Sequence, residues 1–167
     1  MKRIEKLYEE MAGMANRDLY LIEPEFCQEL YYHIPTEFCS TELNSVELSS
    51  VEPRPMCIRA FLLIVNWFAM SQRSGVWTFY EATDQKEIES VVRFLEQRGD
   101  SELALILRSG VHDYQNPKYV GNWDYPEEWI EEAGEIDQWI EEKEEWLYQW
   151  ERELLTDNQT LICSLIK

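Results

Sequence analysis

Asp124 to Glu153 reads DYPEEWIEEAGEIDQWIEEKEEWLYQWERE, and its periodicity decides the fold class. Trp129, Ala133, Ile136, Ile140, Leu147, Trp150 and Leu154 recur at steps of three, four and seven. That spacing puts them on one face of a helix. Trp139 and Trp146 lie along the edge of that face, and acids fill most of the remaining circumference. The stretch holds thirteen carboxylates against Lys143 and Arg152, a net charge of −11 within a whole-chain charge of −18. Five of the seven Trp of the chain lie in it or, as Trp123, directly before it. Pro126 suits a first-turn position, where its missing N–H costs nothing. Asp124 is then the expected N-cap, with Glu127 and Glu128 at the positive end of the helix dipole. Gly134 is the weak point. It costs about 1 kcal/mol in a helix interior and leaves open a break into two helices.

The other segments agree with a helical reading. Residues 2–15 place Ile4, Leu7, Tyr8, Met11 and Met14 on one side. A second helix begins near Pro24, carries Phe26, Leu30 and Tyr31, and ends before Pro35. Residues 36–54 are the least regular part, expected to be a loop with one helical turn near Glu37. Pro55 to Met70 is apolar nearly all round and should be a central, buried helix. Asn66 inside it is then a buried polar group in need of partners. SQRSG (71–75) should break this helix, and Val76–Tyr80 fits either a helix or a strand. Asp84 and Glu87 form a D-x-x-E capping pattern ahead of Ile88, Val91, Val92 and Leu95. Gly99 is placed to end that helix. Another helix, with Leu103, Ile106 and Leu107, closes near Gly110. Residues 111–123 read as a loop, and Leu161, Ile162, Leu165 and Ile166 as a short closing helix. The sum is an all-α fold: one irregular helical domain over 1–167, of about 6–9 helices, with N-terminal helices and a loop over 1–54.

Composition bounds the partners. With 167 residues, 45% apolar and 13% aromatic residues, the chain can build a core despite its charge. A net charge of −18 disfavours direct binding to nucleic acid or to an anionic membrane. It favours basic proteins. The four Cys (Cys27, Cys39, Cys57, Cys163) contain no CxxC pair and read as reduced intracellular thiols. The N-terminus has no apolar signal region, and the run from Ala60 to Met70 is too short to span a bilayer. The expected location is the cytoplasm.

Catalytic patterns are missing. His33 and His112 are the two His, and neither sits in a nucleophile motif. Cys27, His33 and Cys39 are six apart each, which fits no zinc spacing. There is no Glu-x-x-His pair, phosphate loop, dinucleotide fingerprint or EF-hand pattern. The chain is therefore read as a binding protein rather than an enzyme, with no cofactor.

The middle of the chain adds a resemblance. LLIVNWFAMSQRSGVWTFYEATDQKEIESVVRFLEQRGDSELALIL runs from an apolar helix through a small-residue turn and an aromatic cluster to two amphipathic helices. Over residues 55–167 this order resembles a bacterial family of small acidic proteins that includes the neisserial DNA-mimic protein. The family turn, Asn-Gly-Gly-Phe-x-Gln followed by aromatics, is matched in kind by Gly75, Phe79 and Tyr80. It is departed from at Ser74, Val76 and Trp77. The resemblance implies a helical domain whose carboxylates imitate a phosphate backbone and occupy the DNA-binding surface of a basic protein, such as a transcriptional regulator.

The expected partner-binding residues are Glu127, Glu128, Glu131, Glu135, Asp137, Glu141, Glu142, Glu144 and Glu145. Two other readings stand beside this one. The same charge suits an immunity or phage-type anti-defence inhibitor of a specific nuclease, and it suits a protein whose acidity only secures solubility. A Trp stripe longer than its own core can cover would add a homodimer, with Trp123 and Trp139 as the positions to inspect.

Overall fold

The computed structural model describes residues 2–34 and 54–166. The described residues form ten α-helices and one 3-10 helix without strands, so the fold is all-α. The helices slightly outnumber the expected 6–9 because short turns of helix occupy segments read as irregular. The loop expected over 36–54, with a helical turn near Glu37, falls outside the described residues except for Arg54.

The chain divides into two compact units. One is discontinuous, made from residues 1–59 and 145–167, and the other spans 60–144.

The discontinuous unit contains α1 (Arg3–Ala12), a 3-10 helix (Asn16–Leu21), α2 (Glu23–His33), most of α9 (Glu144–Asp157) and α10 (Gln159–Leu165). Helix α1 packs on α2 and on α10 through Ile4, Leu7, Tyr8 and Met11, all buried as their spacing demands. Its two chain ends meet: Lys2 Nζ donates to Ile166 O at 2.6 Å. The Tyr8 hydroxyl donates to Leu155 O at 3.0 Å. Leu147, Trp150 and Leu154 of α9 are buried, as the apolar stripe requires. The 3-10 helix was not legible, because NRDLYL has neither a cap nor a helical stripe and leaves Tyr20 and Leu21 exposed.

The unit 60–144 holds most of α3 (Met56–Ser74), then α4 (Trp77–Ala82), α5 (Gln85–Arg98), α6 (Ser101–Ser109), α7 (Pro117–Val120) and α8 (Glu127–Glu142). Helix α3 buries Phe61, Ile64, Trp67 and Phe68 in this unit. It runs through Ser71–Ser74 and stops at Gly75, whose φ of +89° suits glycine. Asn66 is exposed, contrary to expectation, because it lies on the side of α3 that the exposed Arg73 continues two turns later. It therefore needs no buried partner. Val76–Tyr80 resolves as helix. Asp84 caps α5 by accepting from Lys86 N at 2.8 Å. Gly99, at φ +95°, ends α5 with Asp100 N bonded to Leu95 O at 2.9 Å. Helices α5 and α6 form the closest helix pair of the unit. The segment 111–123 is not all loop, since Asn116 caps the short α7 by accepting from Lys118 N at 3.0 Å.

Tyr80 is the polar centre of this unit's core. Its hydroxyl accepts from Trp67 Nε1 at 3.0 Å and donates to Leu107 O at 2.9 Å. Both groups would otherwise be buried without partners.

Candidate interaction surface

The acidic stretch breaks, but not where glycine suggested. Helix α8 passes through Gly134 without interruption and ends at Lys143, and α9 starts at Glu144. No atom outside its own helix lies within 4 Å of the place a Gly134 side chain would occupy. The glycine weakens α8 but does not divide it. A continuous helix through residues 141–145 would put Glu141 beside Glu144 and Glu145, and Glu142 beside Glu145. Such like-charge neighbours are unfavourable in a continuous helix, and the helix is interrupted at Lys143. Lys143 instead reaches Glu102 at 3.3 Å and lies 6.0 Å from the centre of the Trp139 ring. Gly134→Ala is expected to stabilise the protein by about 1 kcal/mol, since it keeps helical backbone and meets no neighbour. Urea unfolding of the variant measures this.

The start of α8 also differs from expectation. Pro126, with φ −52° and ψ 137°, is the N-cap rather than a first-turn residue, and Asp124 lies before the cap. Aromatic rings hold this end instead of a side-chain cap. Trp129 stacks on His112 with ring centres 4.7 Å apart and planes 4° from parallel. Tyr114 and Tyr119 meet Trp129 edge-on, at 5.3 and 5.4 Å. His112 Nε2 lies 2.5 Å from Glu132 Oε2. The Tyr125 hydroxyl donates to Glu81 at 2.8 Å, and burial pushes its pKa up to about 12, as it does that of Tyr114. Both hydroxyls stay neutral in ordinary buffers, so these two tyrosines add no negative charge.

The other edge of the Trp stripe is fixed at α3. Trp139 meets Trp67 at 6.2 Å, which brings the acidic helix against the apolar one. Trp139 is half-buried, whereas Trp123 is 72% exposed on a left-handed backbone, φ 53°.

The nine expected partner-binding residues therefore separate. Glu127, Glu128, Glu131, Glu135, Glu141 and Glu142 are exposed on α8, and Glu144 is exposed just after it. Asp137 turns inward: it accepts from Ser71 Oγ at 2.5 Å and from Val76 N at 2.9 Å. It thereby ties α8 to the turn around Gly75, a structural duty that its position among so many acids hid. Glu145 is also exposed, but it belongs to the other unit.

At about 100° per residue, the six exposed acids of α8 fall within an arc of about 140°. No Lys or Arg interrupts α8. Its 16 residues span about 24 Å at 1.5 Å per residue, so the stripe carries one carboxylate per about 4 Å. One strand of DNA carries one phosphate per about 3.4 Å.

Beside this stripe lies a groove of about 750 Å³ between α3 and α8. Phe68 and Ile140 supply its apolar surface. Gln72, Gln138, Asp137, Glu141 and Glu144 supply polar and anionic groups, and Gly75 and Gly134 keep it open. Such a lining suits a long basic side chain, whose methylenes need apolar contact and whose head needs an anion.

Other chemistry is sparse among the described residues. No group of three His, Cys, Asp or Glu is placed to hold a metal ion. Cys27 and Cys163 are free thiols. No described helix is long and apolar enough to cross a membrane. Compared with protein-family models, curated proteins and solved structures, the chain matches none of them.

Proposed function

We propose that this chain is an acidic protein that binds and blocks a basic nucleic-acid-binding protein, such as a transcriptional regulator, by presenting α8 in place of a phosphate backbone. The observation that supports this reading is the stripe itself: six exposed carboxylates on one side of one helix, with no cation between them. Its linear charge density is close to that of a single DNA strand. The order of elements over 55–167, which resembles the DNA-mimic family, points the same way. An Arg or Lys from the partner would enter the groove beside the stripe, meeting Glu141 and Glu144 with charge-assisted hydrogen bonds.

The decisive experiment is affinity capture from the source cell at low and high salt, followed by competition with duplex DNA. The expected result is a basic DNA-binding protein that is released both by salt and by the duplex, because the two ligands use one surface. A partner that holds DNA and this protein at the same time overturns the proposal. A captured nuclease whose activity is abolished would move the reading to a nuclease inhibitor. No salt-sensitive partner at all would leave the acidity with a solubility role.

A further inference from the structure

Glu151 sits within α9 with no exposed surface, and no N–H or hydroxyl donor reaches its carboxyl oxygens. Facing it from α2, within hydrogen-bonding reach, is a second acid, Glu23, itself only partly exposed. The Cys27 thiol, one turn further along α2, lies in the field of both carboxyls. Among the described residues no cation is paired with either carboxyl. Arg152, the next residue of α9, donates through Nη2 to Met14 O at 2.6 Å, and its Nε is buried without a partner. From α1, Tyr8 is committed to Leu155 O. From α10, the Cys163 thiol acts on Tyr8.

Two facing carboxyls cannot both remain ionised in such a place, since burial penalises the charged form, a like charge penalises it further, and a hydrogen bond between them needs a proton on one. We propose that Glu151 holds a proton at neutral pH, and that losing it sets two negative charges against each other between α2 and α9 and loosens the unit built from residues 1–59 and 145–167. Glu151 is thus a pH-sensitive latch inside this unit, separate from the α8 stripe.

Burial first, and the facing Glu23 second, raise Glu151 well above the usual carboxylate range. Burial raises Glu23 as well. The folded state therefore binds more protons than the unfolded chain at every pH between the ordinary glutamate value and the raised one. Stability must fall as pH rises through that window. For one proton the folding equilibrium constant changes by at most about tenfold per pH unit.

Glu151→Gln retains the shape of the protonated acid and cannot ionise. The test compares urea unfolding of the full chain and this variant from pH 5 to 8 at fixed salt. The general effect of the net charge acts on both chains and cancels in their ratio. The expected result is a variant-to-wild-type ratio of folding constants that grows with pH, by up to about tenfold per unit. A ratio that stays flat across the range overturns the proposal. Glu23→Gln removes the facing charge and should move the window of the parent acid to lower pH. If Glu151→Gln does not fold, the infrared spectrum of the unmodified chain at neutral pH decides. A neutral-carboxyl carbonyl band supports the latch, and its absence overturns it.

Discussion

Gly110→Ala is expected to destabilise the protein by roughly 3 kcal/mol, a large loss for a single methyl group. Gly110 has an ordinary backbone, φ −84°, so conformation does not demand glycine there. Space does. A Cβ at this position would lie 2.4 Å from Tyr80 Cζ and 2.7 Å from its hydroxyl. These atoms belong to a ring that is 3% exposed and held from two sides. Moving the ring breaks the bonds to Trp67 Nε1 and Leu107 O, leaving buried polar groups unsatisfied in addition to the overpacking. Urea unfolding, with near-ultraviolet circular dichroism to follow the aromatic core, measures the effect. Gly121→Ala is the control, because nothing lies within 4 Å of its added Cβ. If Gly110→Ala unfolds at the same urea concentration as the parent, the close approach of Tyr80 is wrong.

The second large effect concerns the α8 stripe. Reversing Glu128, Glu131, Glu135 and Glu142 together to Lys places four cations along one side of the arc. At roughly 0.7 kcal/mol for each exposed pairing lost, the affinity for a basic partner should fall about 100-fold. The fall should come mainly from slower association, and binding should lose much of its salt dependence. The comparison that separates arrangement from net charge is a second variant with Glu9, Glu89, Asp113 and Glu153 reversed. These four are also exposed and lie off α8. Both variants change the net charge equally, but only the first rewrites the stripe. Surface plasmon resonance with the captured partner at two salt concentrations measures both. Equal losses from the two variants would reject the stripe as the binding surface. Folding stability should change little in either, since the altered side chains face water.

The sequence carried much of this surface in readable form, and the places where it misled share a cause. Apolar spacing placed Ala133, Ile136, Ile140, Leu147, Trp150 and Leu154 inward, because a stripe repeated over seven turns admits one solution. Asp84 and Gly99 marked their helix ends correctly, since capping is local chemistry. Gly134 misled because propensity states a cost, not a break. The actual break falls at Lys143, among Glu141, Glu142, Glu144 and Glu145, all good helix formers singly. Asp137 looked like one more surface acid, and only the turn after α3, 61 residues away from it, gives it partners. Asn66 looked buried because the residues around it are apolar. One polar side chain on a long helix can still face outward. The contact between Gly110 and Tyr80 is likewise a matter of distant residues, invisible to spacing.

The division of the chain carries a consequence for the order of events during synthesis. Residues 60–144 are contiguous, so everything that unit needs has been translated before residue 145 is added. The other unit has to wait. Its α1 and α2 emerge first but lack Leu147, Trp150, Leu154 and Ile162, which come last. A chain truncated after residue 144 and released should therefore already protect the Trp67–Tyr80 core while leaving Ile4, Leu7 and Phe26 open to chaperones. The segment 145–167 is the closing piece of the discontinuous unit, and the unit that carries the acidic helix α8 is built without it.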